Sequence, residues 1–446
     1  LGGKVGMQKG NFWALLPLIV FVVIYFSGSL YLNDFYAIPT LVVFVFCLFI
    51  ALFQSAKKPL AEKLKHFAKG SGDENILVMI LIFLLAGAFG ELSKAIGGIS
   101  STINFALSYV SPQFIIASLF LVACFISTSL GTSVGTIVAL APIAVGLEDN
   151  LPGSMALSLA AVIGGAMFGD NLSFISDTTI AATRTQGVGM RDKFRVNFRI
   201  VFPVAVICFC LYVGLGFWSF GEGTNIVVGE SSFVKIIPYI LVFVIALLGV
   251  NVIWTLGIGV LSASLVGLGT GSINFLEALQ AINIGFAGMF ELSLLCLIIG
   301  GIVGIIRYNG GIEFLLHQVS KRIKNARGAE LGIAFLTMLV DICIANNTIA
   351  IVIVGPLAKD ISDKNQLEPK RVASILDTMS CFAQGIIPYG AQMLAALAAA
   401  KIYFEQQDNL QAMISPLDII QYLYYPFLIG LATILFILFR KRKALS

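Results

Sequence analysis

Along nearly the whole of this chain, apolar runs long enough to cross a bilayer follow one another with only short polar connections, and that succession leaves few folds open. A soluble core cannot shelter so much apolar surface: 58% of the 446 residues are hydrophobic and 12% charged, with a mean hydropathy of +0.95. No polar stretch is long enough to fold alone, so residues 1–446 read as a single all-α polytopic membrane domain in a lipid bilayer. Against the roughly 20 residues a helix needs per crossing, simple helices fall near 12–30, 36–54, 76–97, 198–219, 233–249, 252–269, 290–306 and 418–439. Lys4 and Lys9 precede the first run as in a signal peptide, but the run is too long for a signal core, and an uncleaved first helix is expected.

Four longer runs, 113–147, 155–186, 330–361 and 371–401, carry small, polar or Pro residues near their middles. An interruption at membrane depth frees backbone groups that lipid cannot satisfy, so protein, water or ions must do so. These runs also align with one another. Pro142 and Pro356 lie 214 residues apart (356 − 142 = 214), and Phe168 and Phe382 share that offset. At the same spacing Ile137-Val138 meets Ile351-Val352, and Gly87 and Gly90 meet Gly301 and Gly304. The chain therefore reads as two repeats, 11–220 and 231–440.

Basic residues orient them. Lys57, Lys58, Lys63, Lys65 and Lys69 form one cluster, and Arg184, Arg191, Lys193, Arg195 and Arg199 another. Further clusters stand at Arg307–Arg327, Lys359–Arg371 and Arg440–Lys443, whereas 98–112 has no charge at all. By the positive-inside rule the clusters are cytoplasmic. All fit one side only if 113–147 and 330–361 are hairpins that enter and leave by the same face. Each repeat then has five crossings plus a hairpin, so the second is inverted relative to the first. Both termini lie in the cytoplasm, the protein sits in the cytoplasmic (inner) membrane, and broken helices meet near its middle, the layout of a secondary transporter.

Other classes fall away. The net charge of +4 is spread over these topology clusters, so no nucleic-acid partner is expected. All seven Cys stand in apolar segments without a CxxC pair, which argues against a disulfide framework or a zinc site. No GxxxxGK[ST] motif is present, and coupling to an ion gradient is favoured over ATP hydrolysis. Asp170 and Asp177 show no GxGD-like pairing across two separate helices, and no HExxH occurs, so the chain does not read as an enzyme and no cofactor is expected beyond transported sodium and protons. A channel does not explain inverted broken helices. A homodimer is left open.

The breaks supply the chemistry. The first hairpin tip carries Ser127, Thr128, Ser129, Thr132 and Ser133, a dense set of hydroxyls in apolar surroundings. Hydroxyls and freed carbonyls suit sodium, although single hydroxyls also serve helix packing. The next break, Gly169-Asp170-Asn171-Leu172-Ser173-Phe174-Ile175-Ser176-Asp177-Thr178-Thr179, places two carboxylates inside a membrane segment. Intramembrane acids are functional by default, while Asp177 also suits a helix N-cap. In the second repeat Asp341 falls opposite Ser127, Asn346, Asn347 and Thr348 occupy the tip, and Gln384 falls opposite Asp170. Gln384, Tyr389 and Gln392 give that half amides and a phenol but no acid at the break. Directional hydrogen bonds of this kind leave room for a small organic solute or a second ion. Asp377 and Glu91 also stand in apolar context, where an interfacial or salt-bridged role is expected.

Thr128-Ser129-Leu130-Gly131-Thr132 followed by Pro142, and Gly169-Asp170-Asn171-Leu172-Ser173 with Ser176-Asp177-Thr178-Thr179, resemble signature segments of the NhaC-type sodium/proton antiporter family. The match is not letter-perfect: the family commonly has an aromatic where Leu130 stands, and Lys and Pro where Asn171 and Phe174 stand. The resemblance implies sodium/proton exchange, with relatives that exchange small carboxylates or amino acids, and makes Asp170 and Asp177 the acidic ion-binding positions. Sodium is expected at Asp170, Asp177 and Thr132, with Asn171, Ser173, Thr178, Thr128, Ser129 and Ser133 near it. His66 and His317 belong to cytoplasmic segments, so carboxylates carry the protons. Burial disfavours an ionised carboxylate and a bound cation favours it, so sodium and proton compete for one site. The alternative is a sodium-coupled transporter of an amino acid or small carboxylate.

Overall fold

Where no water can reach the backbone, every N–H and C=O must bond within the protein, and this chain meets that demand with helices; no strand occurs among the described residues. The computed structural model describes residues 10–32, 39–55, 58–174, 176–220, 229–320, 325–407 and 414–439. The first half runs α1 (Leu16–Leu32), α2 (Thr40–Phe53), α3 (Leu60–Ser71), α4 (Glu74–Ala95), α5 (Gly98–Tyr109), α6 (Pro112–Leu130), α7 (Ser133–Gly146), α8 (Met155–Leu172), α9 (Asp177–Gln186) and α10 (Met190–Ser219). The second runs α11 (Phe233–Leu247), α12 (Val252–Thr270), α13 (Phe275–Gly288), α14 (Phe290–Tyr308), α15 (Gly311–Ser320), α16 (Ala326–Ile344), α17 (Asn347–Lys364), α18 (Pro369–Ile386), α19 (Ala391–Gln406), α20 (Pro416–Ile420) and α21 (Tyr424–Leu438). Among the described residues seven helical segments are long and apolar enough to cross a membrane, and four shorter apolar helices stand beside them.

The 214-residue spacing reappears in the helix boundaries. α6, α7, α8 and α9 begin at 112, 133, 155 and 177, and α16, α17, α18 and α19 begin at 326, 347, 369 and 391. Packing between the halves is reciprocal as well. α3 lies on α14 and α13 on α4, while α9 lies on α17 and α19 on α7. Gly87 and Gly285 approach so closely that a Cβ on Gly87 would stand 2.3 Å from the Gly285 carbonyl oxygen, and a Cβ on Gly301 would stand 2.6 Å from Ser71 Oγ. Ser71 and Gly285, like Gly87 and Gly301, are equivalent positions, so small residues let the backbones approach at matching crossings.

Several boundaries differ from the sequence reading. α10 starts at Met190 rather than near 198, because Lys193 and Asn197 turn inward and are buried instead of facing cytoplasm. α3, α5, α13 and α15 are additional short helices. In α13, Glu277, Gln280 and Asn283 recur every third residue and cut its apolar run, yet it continues through Met289 into α14. The last span begins at Tyr424, after the short α20, rather than near 418. Lys63, read as a solvated topology signal, is buried and donates to the carbonyls of Leu52 and Gln54 at 2.8 and 2.6 Å, satisfying the end of α2. Lys57, Lys321, Arg322, Lys324 and the Arg440–Lys443 cluster lie outside the described residues, as does the segment 1–9.

Candidate ion-binding site

Both hairpin tips are made the same way. Gly131, between α6 and α7, takes the left-handed conformation at φ 71°, where a side chain is costly, and Thr132 Oγ1 then accepts from the Gly135 N–H at 3.4 Å. In the second half Ala345 holds the equivalent position at φ 53°, and Asn346 Oδ1 accepts from Ile349 N–H at 2.9 Å. The breaks match too: α8 ends at Leu172 and α9 restarts at Asp177, as α18 ends at Ile386 and α19 restarts at Ala391.

One cavity lies where tips and breaks meet. Thr132, Ser133, Asp170, Asp177, Thr178, Asn346, Asn347, Thr348 and Gln392 all line it, with Val78, Met79 and Ile82 of α4 as an apolar wall. The starts of four helices, α7, α9, α17 and α19, therefore face a single volume. Each N-terminus carries about half a positive charge, so the two carboxylates stand in a positive field that dipoles fixed in the fold supply. Asp170 is buried, and its Oδ1 accepts from the Ser133 N–H at 3.0 Å, joining the first break to the first tip. Gln392 Nε2 donates to Ser133 Oγ at 3.0 Å, and Gln384 Nε2 donates to Gln392 Oε1 at 2.7 Å and to the Ala345 carbonyl at 3.2 Å. This chain of bonds ties the first tip to both the break and the tip of the second half. Asn347 Nδ2 has no hydrogen-bond partner among the described residues. Asp177, by contrast, is exposed.

Other residues singled out from sequence stand apart from the cavity. Thr128 Oγ1 donates to its own helix at Cys124 O, and Ser129 is half-buried nearby. Ser127 Oγ donates to Ala166 O across the α6–α8 contact. Asn171 points its Nδ2 at Met167 O and Tyr425 Oη, and Ser173 is buried after the end of α8. Tyr389 Oη donates to Ile342 O and lines a neighbouring cavity with Asp73 and Arg307. Asp341 is fully buried within α16, and neither carboxyl oxygen makes a well-formed hydrogen bond among the described residues. Glu91 lines a third cavity with Lys94 and Asp149.

Sequence reasoning missed the group behind the first break. Lys193 Nζ donates to Asn171 O at 2.9 Å and to Thr179 Oγ1 at 2.7 Å, and it pairs with Asp377 Oδ2 at 2.8 Å. Asn197 Nδ2 donates to the same two oxygens, Asn171 O at 2.9 Å and Asp377 Oδ2 at 2.6 Å. Lys193 was hidden within a cluster that the positive-inside rule explains without it. The available signal was its spacing: Lys193 and Asn197 are one helical turn apart, on the face that continues as Ile200, Val201 and Val204, all buried. Asp377 is salt-bridged, one of the two roles expected for it.

The sequence model of the Na+/H+ antiporter family matches residues 9–220 and again 217–440. An arginine/ornithine antiporter of Halobacterium salinarum is 24% identical over 356 residues, covering 72% of this chain and 73% of that protein. The malate-2H+/Na+-lactate antiporter of Bacillus subtilis is 24% identical over 415 residues, with 85% and 86% covered. A Na+/H+ antiporter, NhaC, of the same organism is 24% identical over 385 residues, with 78% and 82% covered.

Proposed function

Because the chain belongs to the Na+/H+ antiporter family, we propose that it exchanges sodium for protons across the cytoplasmic membrane, with Asp170 as the carboxylate over which the two ions compete. The observation that carries this reading is the meeting of Asp170 with both hairpin tips in one cavity. Sodium occupies the space between the Asp170 carboxylate, Thr132 and Asp177, and a proton takes its place on Asp170 when sodium leaves. Mutually exclusive occupancy of one acid is sufficient for exchange, since a carrier that reorients only when loaded moves one ion each way. The two halves act as inverted repeats that rock about this point, with both termini in the cytoplasm.

The decisive experiment is sodium-driven pH change in proteoliposomes holding the purified protein. Asp170→Asn is expected to abolish the flux while the protein stays folded, and unchanged flux removes Asp170 from the role assigned to it. A second reading draws on Asn347, which lines the cavity and whose Nδ2 has no partner among the described residues, and on Gln392, which lines it too. An organic solute bearing a carboxylate would be met there by amide donors and by the open start of α19, whose N-cap Gly390 offers no side-chain bond. Flux that appears only when such a solute is added favours a sodium-coupled carrier over plain sodium/proton exchange.

A further inference from the structure

A broken helix leaves carbonyl oxygens that point along its axis with no partner, and in α8 two of them are bonded in different ways. Asp170 O accepts from Thr178 Oγ1 at 3.2 Å and from Thr179 Oγ1 at 3.4 Å, hydroxyls of the next half-helix. Asn171 O accepts from a cation, the Lys193 ammonium. That ammonium stands among a backbone carbonyl, a threonine hydroxyl and a carboxylate oxygen, at 2.7 to 2.9 Å, and each of its three N–H bonds has an oxygen. Lys193 and Asp377 are 1% and 0% exposed, so bulk water does not screen them. Freed carbonyls at helix breaks coordinate sodium in broken-helix carriers, and a hydroxyl and a carboxylate are oxygen ligands of the kind a hard cation takes. Asn171 Oδ1 and Asn197 Oδ1, on residues bonded to this group, are buried without a partner among the described residues, so acceptors there outnumber the ammonium's donors.

We infer that this group is a second sodium-type site, and that the Lys193 ammonium fills it permanently as a tethered cation. The inference goes beyond the proposed exchange at Asp170 and rests on it only in taking that acid for the transported ion's site. The two sites stand back to back on one break. Asp170 faces the cavity, and Asn171, the next residue, turns its carbonyl to Lys193. Because Lys193 supplies the charge that Asp377 needs, Asp377 does not release and rebind an ion during turnover, and the cycle moves one fewer sodium ion than the two buried acids beside the first break, Asp170 and Asp377, suggest. The position is also unpaired in the repeat. The residue 214 after Lys193 is Gln407, and Ile163 stands 214 before Asp377.

The test is the number of sodium ions bound per chain, read with radioactive sodium on the purified full-length protein, together with melting in sodium chloride and in choline chloride. Lys193→Ala is expected to bind one sodium more than the unaltered protein and to melt higher in sodium than in choline. Removing the carboxylate as well, in Lys193→Ala with Asp377→Ala, is expected to return the count to that of the unaltered protein. Asp170→Asn alone is expected to bind one sodium fewer, and an unchanged count there overturns the reading of Asp170 while leaving the Lys193 comparison intact. An unchanged count in folded Lys193→Ala overturns the tethered-cation site, as does failure of that variant to fold in every salt, sodium included.

Discussion

The two breaks stand 214 residues apart and end on equivalent residues, yet they are finished in opposite ways. The first presents Asp170 and Asp177 and is backed by the buried Lys193–Asp377 pair. The second presents Gln384 and Gln392 and is backed by apolar contact: a Cβ on Gly385 would stand 2.6 Å from Pro426 Cγ. Asp341, a buried acid of that half, sits on the hairpin helix α16 rather than at the break. The comparison separates shape from charge. A common backbone makes the crossing possible in both halves, whereas both acids that line the cavity, Asp170 and Asp177, belong to the first, so an ion placed at the centre would meet an acidic wall on one side and an amide wall on the other.

Making the first break resemble the second is the most severe test. Asp170→Gln, which installs the residue found at the equivalent position 384, is expected to eliminate sodium-dependent proton flux in proteoliposomes. Adding Gln384→Asp to that variant is expected not to restore it, because Gln384 is turned toward Gln392 and Ala345 O and lacks the Ser133 amide that Asp170 engages. Recovered flux in the double variant would break the comparison by showing the halves to be interchangeable.

Much of this was legible in the sequence because breaks are written in residue types that lipid otherwise excludes. The polar middles of the four long runs gave both hairpins and both broken helices, and Thr132, Ser133, Asp170, Asp177 and Asn347 do line one cavity. What escaped was direction. Thr128 and Asn171 are as polar as Thr132, but helix geometry turns one onto its own backbone and the other toward Tyr425. Lys193 escaped for another reason: a rule about topology accounts for any lysine at the end of a span, including one folded inward to hold an acid 184 residues away (377 − 193 = 184). The partner lies in the other half of the chain, where no local pattern points to it.

The next effect in size concerns spacing. Gly169 sits against α6 so closely that a Cβ there would stand 2.2 Å from the Cβ and Oγ of Ser127, while its equivalent in the second half is already an alanine, Ala383. Gly165 is similarly pressed against Phe120 O, at 2.4 Å for a Cβ. Gly169→Ala is expected to destabilise the protein by about 1–3 kcal/mol through overpacking, seen as a lower melting temperature and a displaced Asp170. Ala383→Gly is expected to cost about 1 kcal/mol or less, the ordinary helix penalty. Equal shifts would mean that the α6–α8 and α16–α18 contacts are packed alike.

A smaller effect is expected where the halves are bonded together. Gln392→Ala removes the side-chain link to Ser133 and leaves Gln384 Nε2 with the Ala345 carbonyl alone of its two partners. One buried hydrogen bond contributes about 1 kcal/mol, so the sodium concentration at half-maximal flux is expected to rise about fivefold with the maximal rate little changed. A fall in maximal rate at unchanged sodium dependence would place Gln392 in the conformational step instead.

The smallest effect separates hydroxyls that share a tip. Thr128 Oγ1 is bonded to Cys124 O, whose backbone partner in the helix persists without it, and no cavity contact is lost when it goes. Thr128→Ala is therefore expected to leave sodium-driven flux unaltered and to shift stability by no more than about 0.5 kcal/mol. Thr132→Ala, four residues on, loses both the cap on Gly135 N–H and a hydroxyl that faces the cavity. If the two variants weaken sodium dependence equally, the ion is held by the tip as a whole, and the division between hydroxyls that face the cavity and those that face their own helix carries no functional weight.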